Sequence, residues 1–91
     1  MSGEFLTNHL DIAVEFHPTP LRIDFICSFD GWQKHPLFYD LERRRWVICF
    51  DNFPTGTYQC KFCIDDQFWV CLDNLKKTTD KDGNVNNVIT V

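Results

Sequence analysis

The chain has 91 residues, a formal net charge of -4, and 44% hydrophobic residues of which the aromatics alone make up 15% of the sequence. That length fits one domain, and that apolar content can close a core, so disorder is excluded. Nine basic against thirteen acidic residues leave no basic stripe, which argues against nucleic acid as a partner.

The first ten residues, MSGEFLTNHL, show no clear period and read as an N-terminal arm (1–10) or a first edge strand. They have neither a basic n-region nor an apolar h-region, and no apolar run approaches the ~20 residues that span a bilayer. The five cysteines are an odd set for a disulfide framework. Together these features predict an intracellular, cytoplasmic protein with reduced thiols and no membrane partner.

From residue 11 to 91 the chain reads as a single β domain. Asp11–Phe16 alternates with Ile12, Val14 and Phe16 on one face, and Pro18 and Pro20 end it by removing ladder donors. Leu21–Ser28 alternates again, with Leu21, Ile23, Phe25 and Cys27 opposite Arg22, Asp24, Ile26 and Ser28. Asp30-Gly31 is a turn. Leu37–Asp40 is a short strand, Leu41–Arg45 a turn that solvates three arginines, and Trp46–Phe50 a strand. Asn52–Gly56 reads as a loop. Thr57–Ile64 is the cleanest strand, with Tyr58, Cys60, Phe62 and Ile64 opposite Thr57, Gln59, Lys61 and Cys63. Asp65-Asp66 turns into Gln67–Leu72, the polar stretch Asp73–Asn84 admits one short helical turn within Asp73–Thr79, and Val85–Val91 closes the fold. Short alternating strands without helical period indicate an all-β antiparallel β-sandwich.

No catalytic constellation emerges. Asp65 and Asp66 are adjacent in a tight hairpin and cannot face each other across a cleft, as glycosidic hydrolysis requires. Ser28 has no evident His and Asp partners. Cys60 and Cys63 spell C-x-x-C inside a strand, where a three-residue step puts the sulfurs on opposite faces and denies them one metal ion. His9, His17 and His35 lack ligand spacing and read as surface or loop residues. No metal and no cofactor is expected.

The tryptophans carry the functional signal. Trp32 follows the Asp-Gly turn and Trp69 follows the hairpin turn, whereas Trp46 begins a β run and reads as packed. An exposed indole on a loop or strand end points to a ligand.

Ser28-Phe29-Asp30-Gly31-Trp32 followed by Pro36-Leu37 resembles the opening signature of the family 48 carbohydrate-binding modules, G-S-F-N-N-W then P-L. That family includes the glycogen-binding domain of the AMP-activated protein kinase beta subunit and the starch-binding domain of plant glucan phosphatases. Phe53–Phe62 resembles its L-P-x-G-x-x-x-Y-K-F, Ile64–Trp69 its V-D-G-x-W, and Asp82–Val91 its G-x-x-N-N-x-x-x-V. The similarity runs from Ile12 to Val91. It implies an immunoglobulin-like sandwich that binds α-1,4-linked glucan, or a maltooligosaccharide, without cleaving it. Carried over by motif, the sugar site consists of Trp32, Lys61, Trp69 and Asn86. Asn84 stands in the loop where the kinase version has a glucan-holding Leu. Such a module would target an attached or associated enzyme, including a fused enzyme domain, to the polymer.

The sequence departs from that pattern at the hairpin. Asp65-Asp66-Gln67-Phe68 is one residue longer than Asp-Gly-x, and one extra residue flips strand parity. Trp69 reaches the Trp32 face only if a bulge absorbs it. A second reading follows from this altered hairpin and the apolar Trp69–Leu72 stretch, namely a degenerate module of the same fold that serves protein–protein interaction.

Overall fold

A computed structural model describes residues 7–91, the side chain of Thr7 excepted. Nine strands and one short 3-10 turn build it: β1 (Thr7–Val14), β2 (Ile23–Cys27), the turn (Ser28–Asp30), β3 (Lys34–Pro36), β4 (Phe38–Asp40), β5 (Arg45–Pro54), β6 (Thr57–Ile64), β7 (Phe68–Val70), β8 (Lys77–Thr79) and β9 (Val85–Thr90). All pairings are antiparallel. One sheet has the order β1-β5-β4; the other runs β3-β2-β6-β9-β8, with β7 also on β6. The sandwich expected from the alternating pattern is the architecture observed.

The alternation along β2 and β6 makes the core. Ile23, Phe25 and Cys27 meet Cys60 and Phe62 and pack against Val14, Leu37 and Phe53 from the other side. Phe25, Phe53 and Phe62 are fully buried, each contributing about 2–3 kcal/mol relative to exposure. Their rings interlock, with Phe25 and Phe62 centroids 5.6 Å apart and Phe53 and Tyr58 5.2 Å apart in an edge arrangement. Trp46 packs partly against this cluster, as its place in a β run predicts.

Several boundaries differ from the sequence expectation, each for a tertiary reason. β1 takes in the last four residues of the stretch read as an arm or a first edge strand, and it is an edge strand that pairs with β5 as far as Pro54; residues 1–6 of that stretch lie outside the described residues. The same pairing extends β5 through Asn52–Pro54, which the Pro and Asn content had marked as loop. Leu21 lies outside β2 and is 93% exposed, while its backbone N–H donates to Asp65 Oδ1 at 2.8 Å. Ile26, placed on a polar face by parity, is fully buried on β2, a central strand between β3 and β6. No helical turn forms in Asp73–Thr79. Lys77–Thr79 pairs with β9 instead, since an available sheet edge outweighs local propensity.

Residues 65–67 resolve the extra hairpin residue. Asp65 and Asp66 both have positive φ, 52° and 56°, and Gln67 N–H donates to Ile64 O at 3.0 Å. This is the type I′ turn that matches strand twist, and Asp tolerates its left-handed backbone better than most residues. Ile64 then pairs with Phe68 and Cys63 with Trp69, which leaves Gln67 as the unpaired extra residue. Parity is restored, and Trp69 shares the outer face with Cys63 and Lys61.

All five cysteines are free thiols. Cys60 faces the core, and burial pushes its thiol up to about 12. Burial also raises Cys27. At pH 8 these groups are protonated as well as inaccessible. Alkylation of the native reduced protein at pH 8 is therefore expected to reach only Cys49 and Cys71, and denaturant should open all five. Adducts on Cys60 in the native state, read by peptide mass spectrometry, would contradict this packing.

Candidate functional site

The outer face of the larger sheet carries an open groove of about 360 Å³ lined by Ile26, Trp32, Lys61, Trp69, Asp80, Asn84 and Asn86. The five residues singled out from the sequence are all among them. Ile26 and Asp80 are additions. Ile26 was hidden by its apolar character on a strand that parity had marked polar. Asp80 lay in a stretch with no readable structure.

The groove exists because β6 changes partners. On one edge β6 pairs with β2 from Cys60 to Ile64. On the other it pairs with β9 over Thr57–Cys60 and with β7 over Phe62–Ile64. Lys61 falls at the break between β9 and β7. Trp69, from β7, and Asn86, from β9, flank it from the two sides of that break.

A second break in regularity presents Trp32. Gly31 and Trp32 have φ of 76° and 67°. Two consecutive left-handed residues reverse the chain after the 3-10 turn, and a bulky side chain there carries backbone strain. The reversal is tied down on several sides. Trp32 N–H donates to Cys27 O at 3.1 Å, and Gln33 N–H to Asp30 Oδ1 at 3.3 Å. His35 Nε2 pairs with Asp30 Oδ2, and the His35 ring stacks on Phe29. Phe29 itself turns toward the core, with its ring centroid 4.3 Å from that of Phe53. The two aromatics of Ser28–Trp32 thus point to opposite destinations: Phe29 anchors the loop and Trp32 is 42% exposed.

Trp69 is 54% exposed. Asn86, by contrast, is 7% exposed and its Nδ2 donates to Gln59 Oε1 at 2.9 Å, which fixes the amide's orientation. Asp80 orders the adjoining loop. Its Oδ1 accepts from the backbone N–H groups of Asp82 and Asn84, and its Oδ2 from Asn84 Nδ2 at 3.2 Å. These bonds, the Asn84 backbone N–H foremost, hold its carboxyl below the ordinary carboxylate value. Below the sheet, between its inner face and β1, lies a second cavity of about 330 Å³ lined largely by aliphatic side chains such as Leu10, Ile12, Leu72 and Ile89. Neither indole reaches it.

An antiparallel sandwich that displays two indoles, an ammonium and amide groups in one open groove has the form of a carbohydrate-binding module. The comparison with known proteins agrees. Residues 14–91 match the family described as the glycogen recognition site of AMP-activated protein kinase, and the chain belongs to that family. The phosphoglucan phosphatase DSP4, amyloplastic, of Castanea sativa is 32% identical over 62 residues, which is 67% of this chain. The match spans 16% of that relative's length.

One residue not singled out from the sequence holds the groove's frame. Asn87, fully buried, accepts at Oδ1 from Leu72 N–H at 2.7 Å and donates from Nδ2 to Leu72 O at 2.9 Å. It joins the chain leaving β7 to β9 where the two strands part. Asn87→Ala removes both bonds and leaves a buried amide and carbonyl unpaired, at a cost of about 2–3 kcal/mol. Urea unfolding should show a lower midpoint at unchanged slope. An unshifted midpoint would remove Asn87 from this role.

Proposed function

We propose that the groove binds α-1,4-linked glucan of the glycogen or starch type, non-catalytically, and that the module thereby brings an attached or associated enzyme to its polymer. The single observation that supports this most is the gathering of Trp32, Trp69, Lys61 and Asn86 on one outer face. A glucose ring has an apolar C–H face that can lie on an indole, which is large, rigid and amphipathic. Lys61 supplies three donors, and Asn86, with its Nδ2 committed to Gln59, offers Oδ1 to a hydroxyl. The groove is shallow and open to solvent, which suits an internal stretch of polymer better than a buried chain end.

The site chemistry favours holding over cleaving. Among the described residues lining the groove, Asp80 is the one carboxylate. Glycosidic hydrolysis needs two, one of them with a raised pKa. Asp80 is shifted downward instead. The targeting role rests on the family and on the relative, which is named as a phosphatase and is far longer than its match to this chain. The apolar run Trp69–Leu72 that suggests a protein-interaction surface is accounted for within the fold, since Val70 and Leu72 pack against the core.

Retention on glycogen and amylopectin tests the reading. Wild type should be retained and eluted by maltooligosaccharide. Trp32→Ala and Trp69→Ala should each weaken binding ~10-fold or more, the usual cost of truncating a central aromatic anchor. Loss of retention by the wild type would end the glucan reading. Full retention by both variants would move the site elsewhere.

A further inference from the structure

We propose that the opposite face of the sandwich carries a site for a zinc-like divalent cation, formed by His9, Asp11 and Cys49 across strands β1 and β5. The side-chain period of a strand is two, so His9 and Asp11 share a face of β1, and Cys49 and Asp51 share a face of β5. Asp11 pairs directly with Cys49. The register shift between Asn8 and Leu10 lies at His9.

Three donor atoms converge there. His9 Nε2 lies 2.8 Å from Asp11 Oδ2 and 3.5 Å from Cys49 Sγ. One ligand atom from each of the three residues lies within 4.8 Å of the others. A tetrahedral zinc ion with bonds of 2.0–2.3 Å sets its ligand atoms about 3.3–3.7 Å apart. The side chains are all exposed, so an ion can enter from solvent and the donors can adjust by the small distance needed.

The donor set selects the ion. A thiolate, an imidazole and a carboxylate suit zinc and similar first-row cations, while magnesium and calcium prefer oxygen alone. The outer partner is present too. Asp51 Oδ1 lies 3.6 Å from His9 Nδ1, on the side of the ring away from the ligating nitrogen. A carboxylate at the second ring nitrogen fixes the tautomer and orientation of a metal-bound histidine. The fourth coordination position is left to water. The consequence is mechanical: β1 is an edge strand of the smaller sheet, and the ion clips it to β5.

Titration of the reduced full chain with cobalt(II), followed by displacement with zinc(II), is the test. The expected result is uptake of one equivalent with a thiolate-to-cobalt charge-transfer absorption, and a zinc-dependent rise in melting temperature. Cys49→Ser should abolish the absorption, and His9→Gln should lower affinity ~100-fold or more. Asp51→Asn should lower it ~10-fold, as outer partners do. Cys71→Ser should bind as wild type does, and glycogen retention should be unchanged in all four variants, which separates this site from the glucan groove. No uptake by the wild type, or wild-type affinity in both Cys49→Ser and His9→Gln, would overturn the proposal.

Discussion

The parity of β6 is the constraint on which the molecule depends. Its residues alternate between two environments, and each environment is a different part of the protein. Cys60 and Phe62 are fully buried among the rings from β2 and β5. Gln59, Lys61 and Cys63 face the other way, and Lys61 lines the groove. A one-residue slip would exchange the two sets, burying an ammonium and exposing a phenyl ring. The core and the site are therefore specified by a single register. The pairing with β2, from Ile23 against Ile64 to Cys27 against Cys60, holds that register through five consecutive residue pairs.

The groove's shape comes from interruptions that this regular strand permits. The edge of β6 is shared by two partners, and the break between them surrounds Lys61. The type I′ turn with an extra residue delivers Trp69 on one side of the break, and the left-handed Gly31–Trp32 reversal delivers the second indole. Both devices need backbone conformations that ordinary residues avoid, so both are held by surrounding bonds. Asp65 accepts the N–H groups of Leu21 and Arg22, and Asp30 fastens the Trp32 loop to His35. Both indoles are thereby held in place beforehand, and a side chain fixed before a ligand arrives loses little freedom on binding.

The two outer faces differ in chemistry. The larger sheet presents flat apolar rings with sparse hydrogen-bonding groups, suited to a neutral, hydroxyl-rich polymer. The smaller sheet presents a tight group of nitrogen, oxygen and sulfur donors at its edge. The sequence reads His9 as a surface or loop residue, and it is exposed on strand β1. His9 and Cys49 are forty residues apart, and their meeting depends on the β1–β5 register, which no local spacing encodes. The H-x-D and C-x-D texts at His9–Asp11 and Cys49–Asp51 gain meaning only once the strands are paired.

By itself the sequence determined the class of fold, the clean β6 strand, the fate of most apolar residues and five of the seven residues that line the groove. It could do so because a period of two and the turn residues act locally, and because the motif order from Ser28 to Val91 is specific. Tertiary structure alone decided where strands end, as β5 shows by extending along β1 into residues that read as loop. It also decided that the lengthened hairpin keeps Trp69 outward, since the residue that restores parity is fixed by pairing with β6 and not by the turn text. Edge strand β8 and the clasp of Asn87 on Leu72 belong to the same category. In each case the deciding contact lies between residues distant in the chain, where backbone groups take the partner that packing makes available.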